Sequence, residues 1–286
     1  MITFLGTGLL GANFVRAFRR RNEVVHVWNR SPDKARALRD VGAIPFDSPS
    51  EAVRAATRIH LALVDDATVD SVLEQVRAGL SNGTTIVDHT TTAPAATGDR
   101  VRRWTERGFV FQHAPVFMGP QNALDATGTM LASGKRATFD AVAPALRQMT
   151  GKLVYLGDDP ARAAAVKLLG NLFLIATTAG IADMLMLAKS LGVPPAQVSQ
   201  VFEWFNPGTM VPARAARMRE AKFSEPSWTL AMARKDTRLM IESASSNGAS
   251  LAVMPAIAAA MDRWIAAGHA AEDWMVIGKD AVSGSC

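Results

Sequence analysis

The chain has 286 residues, of which 49% are hydrophobic and 20% charged, and it carries a formal net charge of +5. That length exceeds what one core usually supports, so two domains are expected, and the composition excludes a disordered or fibrous chain. The single cysteine, Cys286, excludes an intrachain disulfide and fits a reducing cytoplasm.

Ile2 to Leu5 is an apolar run of strand length, followed by Gly6, Gly8 and Gly11 in the spacing G-x-G-x-x-G. Ala12, Phe14, Val15 and Phe18 then recur at helical spacing. A strand, a tight turn and a helix of this kind form a pyrophosphate cradle, in which Leu9 and Leu10 sit beside the glycines at the helix N-terminus. The apolar start, Met1 to Leu10, lacks a basic leader and reads as a buried strand, not a signal sequence.

Val24 to Trp28 reads as the second strand, ending about twenty residues beyond the glycines, where the side chain that reads the ribose belongs. That stretch is Asn29, Arg30, Ser31, with no carboxylate. An acidic residue there would repel a 2′-phosphate, whereas an amide, a guanidinium and a hydroxyl accept one, so NADP(H) is expected over NAD. Ser31 also stands where it could cap a helix starting at Pro32.

Arg58 to Val64, Thr84 to Asp88 and Gly108 to Phe111 read as further strands separated by helical segments, which implies a mostly parallel sheet. Ligands collect at strand C-termini in such sheets. Val64, Asp65 and Asp66, and then His89, Thr90 and Thr91, are therefore expected along the cofactor crevice; the two threonines could equally cap a helix near Pro94.

Beyond Pro160 the composition shifts to long alanine-, leucine- and methionine-rich segments, which places a domain boundary there: residues 1–160 as an α/β nucleotide-binding domain and 161–286 as an all-α domain. Ala163 to Lys189 would span ~40 Å as one helix. Its uncharged stretch, Leu168 to Ala182, is short and interrupted, so a helix buried between domains or subunits is expected, not a membrane span. Lys167 and Asn171 lie one turn apart on it, and an ammonium in an apolar setting needs a chemical or ionic reason to be there. Helices are also expected over Pro195 to Trp204, Val211 to Ala221, Trp228 to Ser246 and Leu251 to Ala267. Lys235 and Asp236 fall in the third of these, where surface salt-bridging explains them on spacing alone.

Other partners find little support. The arginine groups Arg19 to Arg21 and Arg214, Arg217 and Arg219 lack interleaved aromatic platforms, so nucleic acid is not expected. The five histidines, His26, His60, His89, His113 and His269, have no ligand spacing, so no metal is expected.

The glycine turn, Trp28-Asn29-Arg30-Ser31, Asp88-His89-Thr90-Thr91, Ala114-Pro115-Val116, Lys167 with Asn171, and Lys235-Asp236 occur in one order along nearly the whole chain. Together they resemble the β-hydroxyacid dehydrogenase family. The resemblance implies an N-terminal Rossmann domain, a long interdomain helix, a helical C-terminal domain that pairs subunits into a dimer or tetramer, and an NADP-dependent dehydrogenase or reductase acting on a small carbonyl compound or hydroxy acid. It makes Lys167 the catalytic acid/base, Asn171 its substrate-holding neighbour, Lys235 a residue reaching the cofactor, and Thr91 a residue beside both nicotinamide and substrate.

Where the family places a serine and a glycine after Ala-Pro-Val to hold a substrate carboxylate, this chain has Phe117 and Met118, with Gly119 retained. That change favours a bulkier or less polar substrate. An imine reductase, which shares the architecture and the Asn-Arg-Ser signature, and a non-catalytic NADP-binding regulatory protein are the alternatives; Lys167 counts against both.

Overall fold

The computed structural model describes residues 1–282; Cys286 lies outside them. The chain forms two compact units, the first Met1–Leu172 and the second beginning at Phe173.

In chain order the first unit contains β1 (Ile2–Leu5), α1 (Leu9–Arg20), β2 (Val25–Trp28), α2 (Pro32–Arg36), β3 (Ile44–Pro45), α3 (Pro49–Ala52), β4 (Arg58–Leu61) and α4 (Asp66–Val76). It continues with β5 (Thr85–Asp88), α5 (Pro94–Glu106), β6 (Val110–His113), β7 (Val116–Phe117), α6 (Pro120–Asp125), β8 (Thr129–Ala132), α7 (Arg136–Arg147) and β9 (Lys152–Tyr155). Strands β1 to β6 make one sheet in the order β3-β2-β1-β4-β5-β6, every pairing parallel. This is the expected α/β Rossmann architecture, with the order reversing beside β1.

Both faces of the sheet are covered, which is why its strands read as apolar runs. Phe4 points to one side, into a cluster with Phe14 and Phe18 of α1, and Leu5 points to the other, with Ile59, Leu61 and Val69. Burying each such side chain contributes roughly 1.5–3 kcal/mol.

The glycine turn works as three separate devices. Gly6 has φ +96°, and a Cβ there would strike the Ala62 carbonyl; a Cβ on Gly11 would strike the Gly6 carbonyl. Gly8 has nothing within 4 Å of where its Cβ would be, so its space lies open above the N-terminus of α1.

β2 and β5 start one residue later than expected, and β4 and β6 differ by more. β4 stops at Leu61, which frees Leu63 to Asp65 as a turn into α4, and β6 starts at Val110 because Gly108, at φ +86°, is still ending α5. A second sheet, β7-β8-β9, was not expected. β7 is only two residues long, and the hairpin to β8 closes over Gly128, at φ +78°, where a Cβ would press on Met118 and the Phe117 carbonyl.

α8 (Arg162–Ser190) is one continuous helix whose first turns belong to the first unit, so the compositional change at Pro160 marks the start of the helix while the compact units divide after Leu172. The expectation that α8 is buried does not hold within a single chain. Leu169, Leu172, Phe173, Leu174 and Ile175 are between 54% and 68% exposed. By length and composition alone the helix could cross a membrane.

The second unit continues with α9 (Pro195–Trp204), α10 (Val211–Arg219), α11 (Leu230–Ser246) and α12 (Met254–Trp264) around a core of Phe223, Leu230, Met261, Met275 and Val276. The expected helix over Leu251 to Ala267 is divided, because a wide turn at Ile265–His269 puts Gly268 at φ +92°. Asp183 of α8 accepts the backbone N–H groups of Ala252, Val253 and Met254, doing for α12 what its uncapped N-terminus does not do for itself.

Candidate active site

A cavity of ≈ 760 Å³ opens in the first unit at the C-terminal ends of β1, β2, β4 and β5. Gly6, Gly8, Leu9, Leu10 and Gly11 form one wall, Asn29, Arg30 and Ser31 a second, Val64 and Asp65 a third, and Thr90 and Thr91 a fourth. α1 has no acidic residue in its first turn and Arg19 and Arg20 in its last, so its positive N-terminal end is uncompensated beneath the open space at Gly8. A dinucleotide pyrophosphate fits that combination.

The second wall divides its labour differently from the expectation. The Asn29 side chain is committed to protein, with Oδ1 accepting the Thr7 N–H at 2.9 Å and Nδ2 donating to the Ser31 carbonyl at 3.0 Å, so it braces the glycine turn against β2. Ser31 makes no side-chain cap bond to α2 and is exposed. Arg30 is exposed on the same wall, and Lys34, in the first turn of α2, also lines the cavity. Sequence reasoning missed Lys34; its place at the start of a helix that directly follows Asn29-Arg30-Ser31 was the available signal.

Asp65 caps α4 by accepting the Thr68 N–H at 2.8 Å, a bond that holds its carboxyl below the usual range. Asp66, expected beside the cofactor, is turned away: it accepts from Arg100 at 2.8 Å and from the Ala93 N–H at 2.9 Å, and it is not in the cavity wall. Neither Thr90 nor Thr91 caps α5, whose N-cap is Ala93 without a side-chain bond. Thr91 is exposed toward the cavity, and Thr90 is buried with its hydroxyl accepting the Leu63 N–H at 3.0 Å.

His89 also lines the cavity, as expected, and it ends a chain of buried imidazoles that runs back from the wall. Arg58 Nε donates to His60 Nε2 at 2.9 Å, which obliges His60 to carry its proton on Nδ1 and donate to His89 Nε2 at 2.9 Å; His89 then donates from Nδ1 to the Ala114 carbonyl at 2.7 Å. Both rings stack against Phe4. Burial pushes the His60 pKa well down and that of His89 to about 4, so both are neutral at ordinary pH.

Elsewhere in the first unit, Lys167 is 9% exposed, and its Nζ donates to Asn171 Oδ1 at 2.8 Å while standing 4.5 Å from the centre of the Phe117 ring. The ring is seated on the backbone of α8 at Gly170, where a Cβ would collide with it. Burial lowers the Lys167 pKa from its ordinary value. Met118 is partly buried against the core cluster of the first unit, and Gly119 precedes α6 with its N–H bonded to Asn122 Oδ1 at 2.9 Å. Lys235 lies in the second unit, with Nζ 2.6 Å from Asp236. Among the described residues no cluster of metal-ligating side chains occurs.

A parallel sheet with its glycine turn under an open helix terminus defines a nicotinamide-dinucleotide-binding protein. Residues 1–157 match the NAD binding domain of 6-phosphogluconate dehydrogenase, and residues 159–281 match the C-terminal domain of NADPH-dependent reductive aminase-like proteins. The chain belongs to the β-hydroxyacid dehydrogenase family. It is 28% identical to the 3-sulfolactaldehyde reductase of Escherichia coli (strain K12) over 68% of its own length and 65% of that protein's, and 25% identical to the 2-hydroxy-3-oxopropionate reductase of the same organism over 85% and 84%. An imine reductase from Myxococcus stipitatus, solved with NADP+, shares the fold with a TM-score of 0.90 at 20% identity, over 97% of this chain and 98% of that one.

Proposed function

We propose that this protein is an NADPH-dependent reductase of a small, weakly polar carbonyl compound, with Lys167 as the general acid. The observation that carries the reading is the state of that lysine: it is buried, bonded to a neutral amide, and faced by an aromatic ring, and among the described residues no carboxylate forms an ion pair with it. An ammonium held this way keeps its proton available for an oxygen that gains charge.

The glycine turn, Arg30, Ser31 and Lys34 would hold a reduced dinucleotide, and the chemistry it would supply when bound is a hydride for the carbonyl carbon. As the C=O π pair moves onto oxygen, Lys167 passes one proton from Nζ to that oxygen, giving the alcohol, and the amine recovers its proton from solvent. Asn171 keeps the ammonium directed without adding charge. Phe117 offers the substrate an apolar face and no hydroxyl donor for a carboxylate. Arg30, Lys34 and Ser31 supply two cations and a hydroxyl for a 2′-phosphate, which supports NADP(H) over NAD(H).

Lys167→Ala should lower aldehyde reduction by about 10² or more while NADPH binding persists. In the folded wild type the rate should be full on the acid side of the Lys167 pKa and fall as pH rises through that pKa, which lies below the ordinary 10.5. Unchanged turnover in the variant would remove Lys167 from the chemistry.

A second reading, reduction of a C=N bond, is favoured by the match of residues 159–281 to reductive aminase-like proteins. A protonated imine arrives with its own proton and is repelled by an ammonium, so Lys167→Ala would leave cyclic-imine reduction standing. Assaying both substrate types with both proteins separates the readings.

The exposed apolar row of α8 supports a homodimer in which a second copy covers it; the Thr177 and Thr178 hydroxyls fold back onto the Phe173 and Leu174 carbonyls and leave no polar obstacle on that segment. Light scattering should give twice the chain mass, and a monomer that partitions into liposomes would refute this.

A further inference from the structure

Thr90, in the cavity wall, has its peptide gripped from both ends by residues that do not line the cavity. Its N–H donates to Asp88 Oδ1 at 2.9 Å, and its carbonyl lies 2.9 Å from His113 Nε2. A carbonyl only accepts, so His113 carries its proton on Nε2 and, when neutral, presents a bare lone pair at Nδ1.

That lone pair is one of three buried atoms without a protein partner that fall in one region: His113 Nδ1, Asp88 Oδ2 and Arg100 Nη1. Asp88 and His113 are register partners on adjacent parallel strands, so their side chains leave the same face of the sheet. Arg100, on the helix connecting those strands, is fully buried, and its remaining donors are committed to Asp66 and Asp70. The three groups are near enough to perturb one another's ionisation. Leaving each unpaired would cost the desolvation of a buried polar group. Two acceptor atoms and one donor nitrogen match a single water molecule, which donates twice and accepts one of the two Nη1 N–H groups; the guanidinium disfavours a metal cation in the same place.

We propose that Asp88, Arg100 and His113 hold one buried water, and that through this node His113 and Asp88 are positioning residues for the Thr90–Thr92 segment and hence for the nicotinamide ring it borders. The inference rests on the reading of this cavity as the NADPH site but not on which substrate is reduced. His113 also reaches Thr92 Oγ1 at 3.2 Å, which is itself 2.7 Å from Thr97 Oγ1, so the node secures both ends of the segment against α5.

The test uses the full-length protein with NADPH as probe and two variants. His113→Phe keeps a ring and removes both nitrogens, while His113→Gln keeps a donor. In ¹⁵N-histidine spectra of the wild type, the His113 signal, assigned by its loss in His113→Gln, should show a proton on Nε2 alone near neutral pH. His113→Phe should bind NADPH with unchanged Kd but lose much of the near-ultraviolet circular dichroism of the bound dihydronicotinamide. Its kcat should fall at least about tenfold with KM unchanged, since small misplacements of reacting groups are costly. His113→Gln should restore most of both signals. If His113→Phe does not fold, Asp88→Asn should show the same loss of dichroism more weakly. A proton on Nδ1, or dichroism and kcat unaltered in the folded variants, overturns the proposal. A wild type that reduces no carbonyl compound refutes the proposed reaction while the tautomer and the dichroism still decide the node.

Discussion

Acid should unfold the first unit early, and the His60–His89 pair is the reason. His89 titrates near 4 in the folded chain against an ordinary value of 6.5, so between those values the unfolded chain binds the extra proton and the folded one does not. Stability is therefore full above about pH 6.5 and falls as pH drops toward 4. The difference corresponds to about 3 kcal/mol from His89, and His60, pushed down by the same burial and by its neighbours, adds to it. Protonating His89 at Nε2 would break its bond from His60 and put a second cation near Arg58, which is why the fold resists it. Asp88, raised by burial, acts in the opposite sense and moderates the slope. Since a domain's whole stability is roughly 5–15 kcal/mol, the loss should be conspicuous in urea titrations run from neutral pH downward and followed by circular dichroism. His89→Gln, which can still donate to the Ala114 carbonyl, should flatten the dependence. A stability that is level across this window, or a slope that His89→Gln leaves intact, would refute the reasoning.

Arg30→Ala with Lys34→Ala should raise KM for NADPH by about tenfold or more and leave NADH little changed, because only the 2′-phosphate loses its charge-assisted partners; steady-state kinetics with both cofactors checks this. Gly8→Ala should melt like the wild type yet bind NADPH more weakly, as its Cβ enters only the open space above α1, whereas Gly11→Ala should destabilise the unit by ~3 kcal/mol or more because the obstacle is backbone; thermal melts and cofactor titrations distinguish the two. Gly170→Ala should displace the Phe117 ring from its seat at Lys167, costing roughly 1–3 kcal/mol and shifting the pH limb of turnover.

Local pattern carried much of the first unit into the sequence. The alternation of apolar runs with helical spacing, closed by the glycine turn, has few solutions other than a parallel sheet, and β1, α1, β2 and β5 fall within a residue or so of where that pattern puts them. The walls of the crevice followed from the same rule, since strand C-termini are where such sheets bind ligands. What one dimension could not show is where a side chain's hydrogen bonds go. Asp66 looks like a cofactor ligand in a string of letters and is a bracing group in space, and Asn29, which does line the cavity, braces the glycine turn as well, because Thr7, Ser31, Ala93 and Arg100 come to them only on folding. In the β7-β8-β9 sheet only β7 is too short to read, while β8 and β9 are as long as the strands of the main sheet but carry no turn signature that assigns them to a second sheet, and the histidines had no readable spacing because their partners lie on neighbouring strands. The sequence by itself determined the fold class, the glycine cradle and the presence of a lysine in an apolar helix. Tertiary structure alone decided that this lysine rests on Asn171 and Phe117, that Gly170 exists to seat the ring, and that α8 leaves an apolar row uncovered, because each of these depends on which surfaces meet and not on which residues are neighbours in the chain.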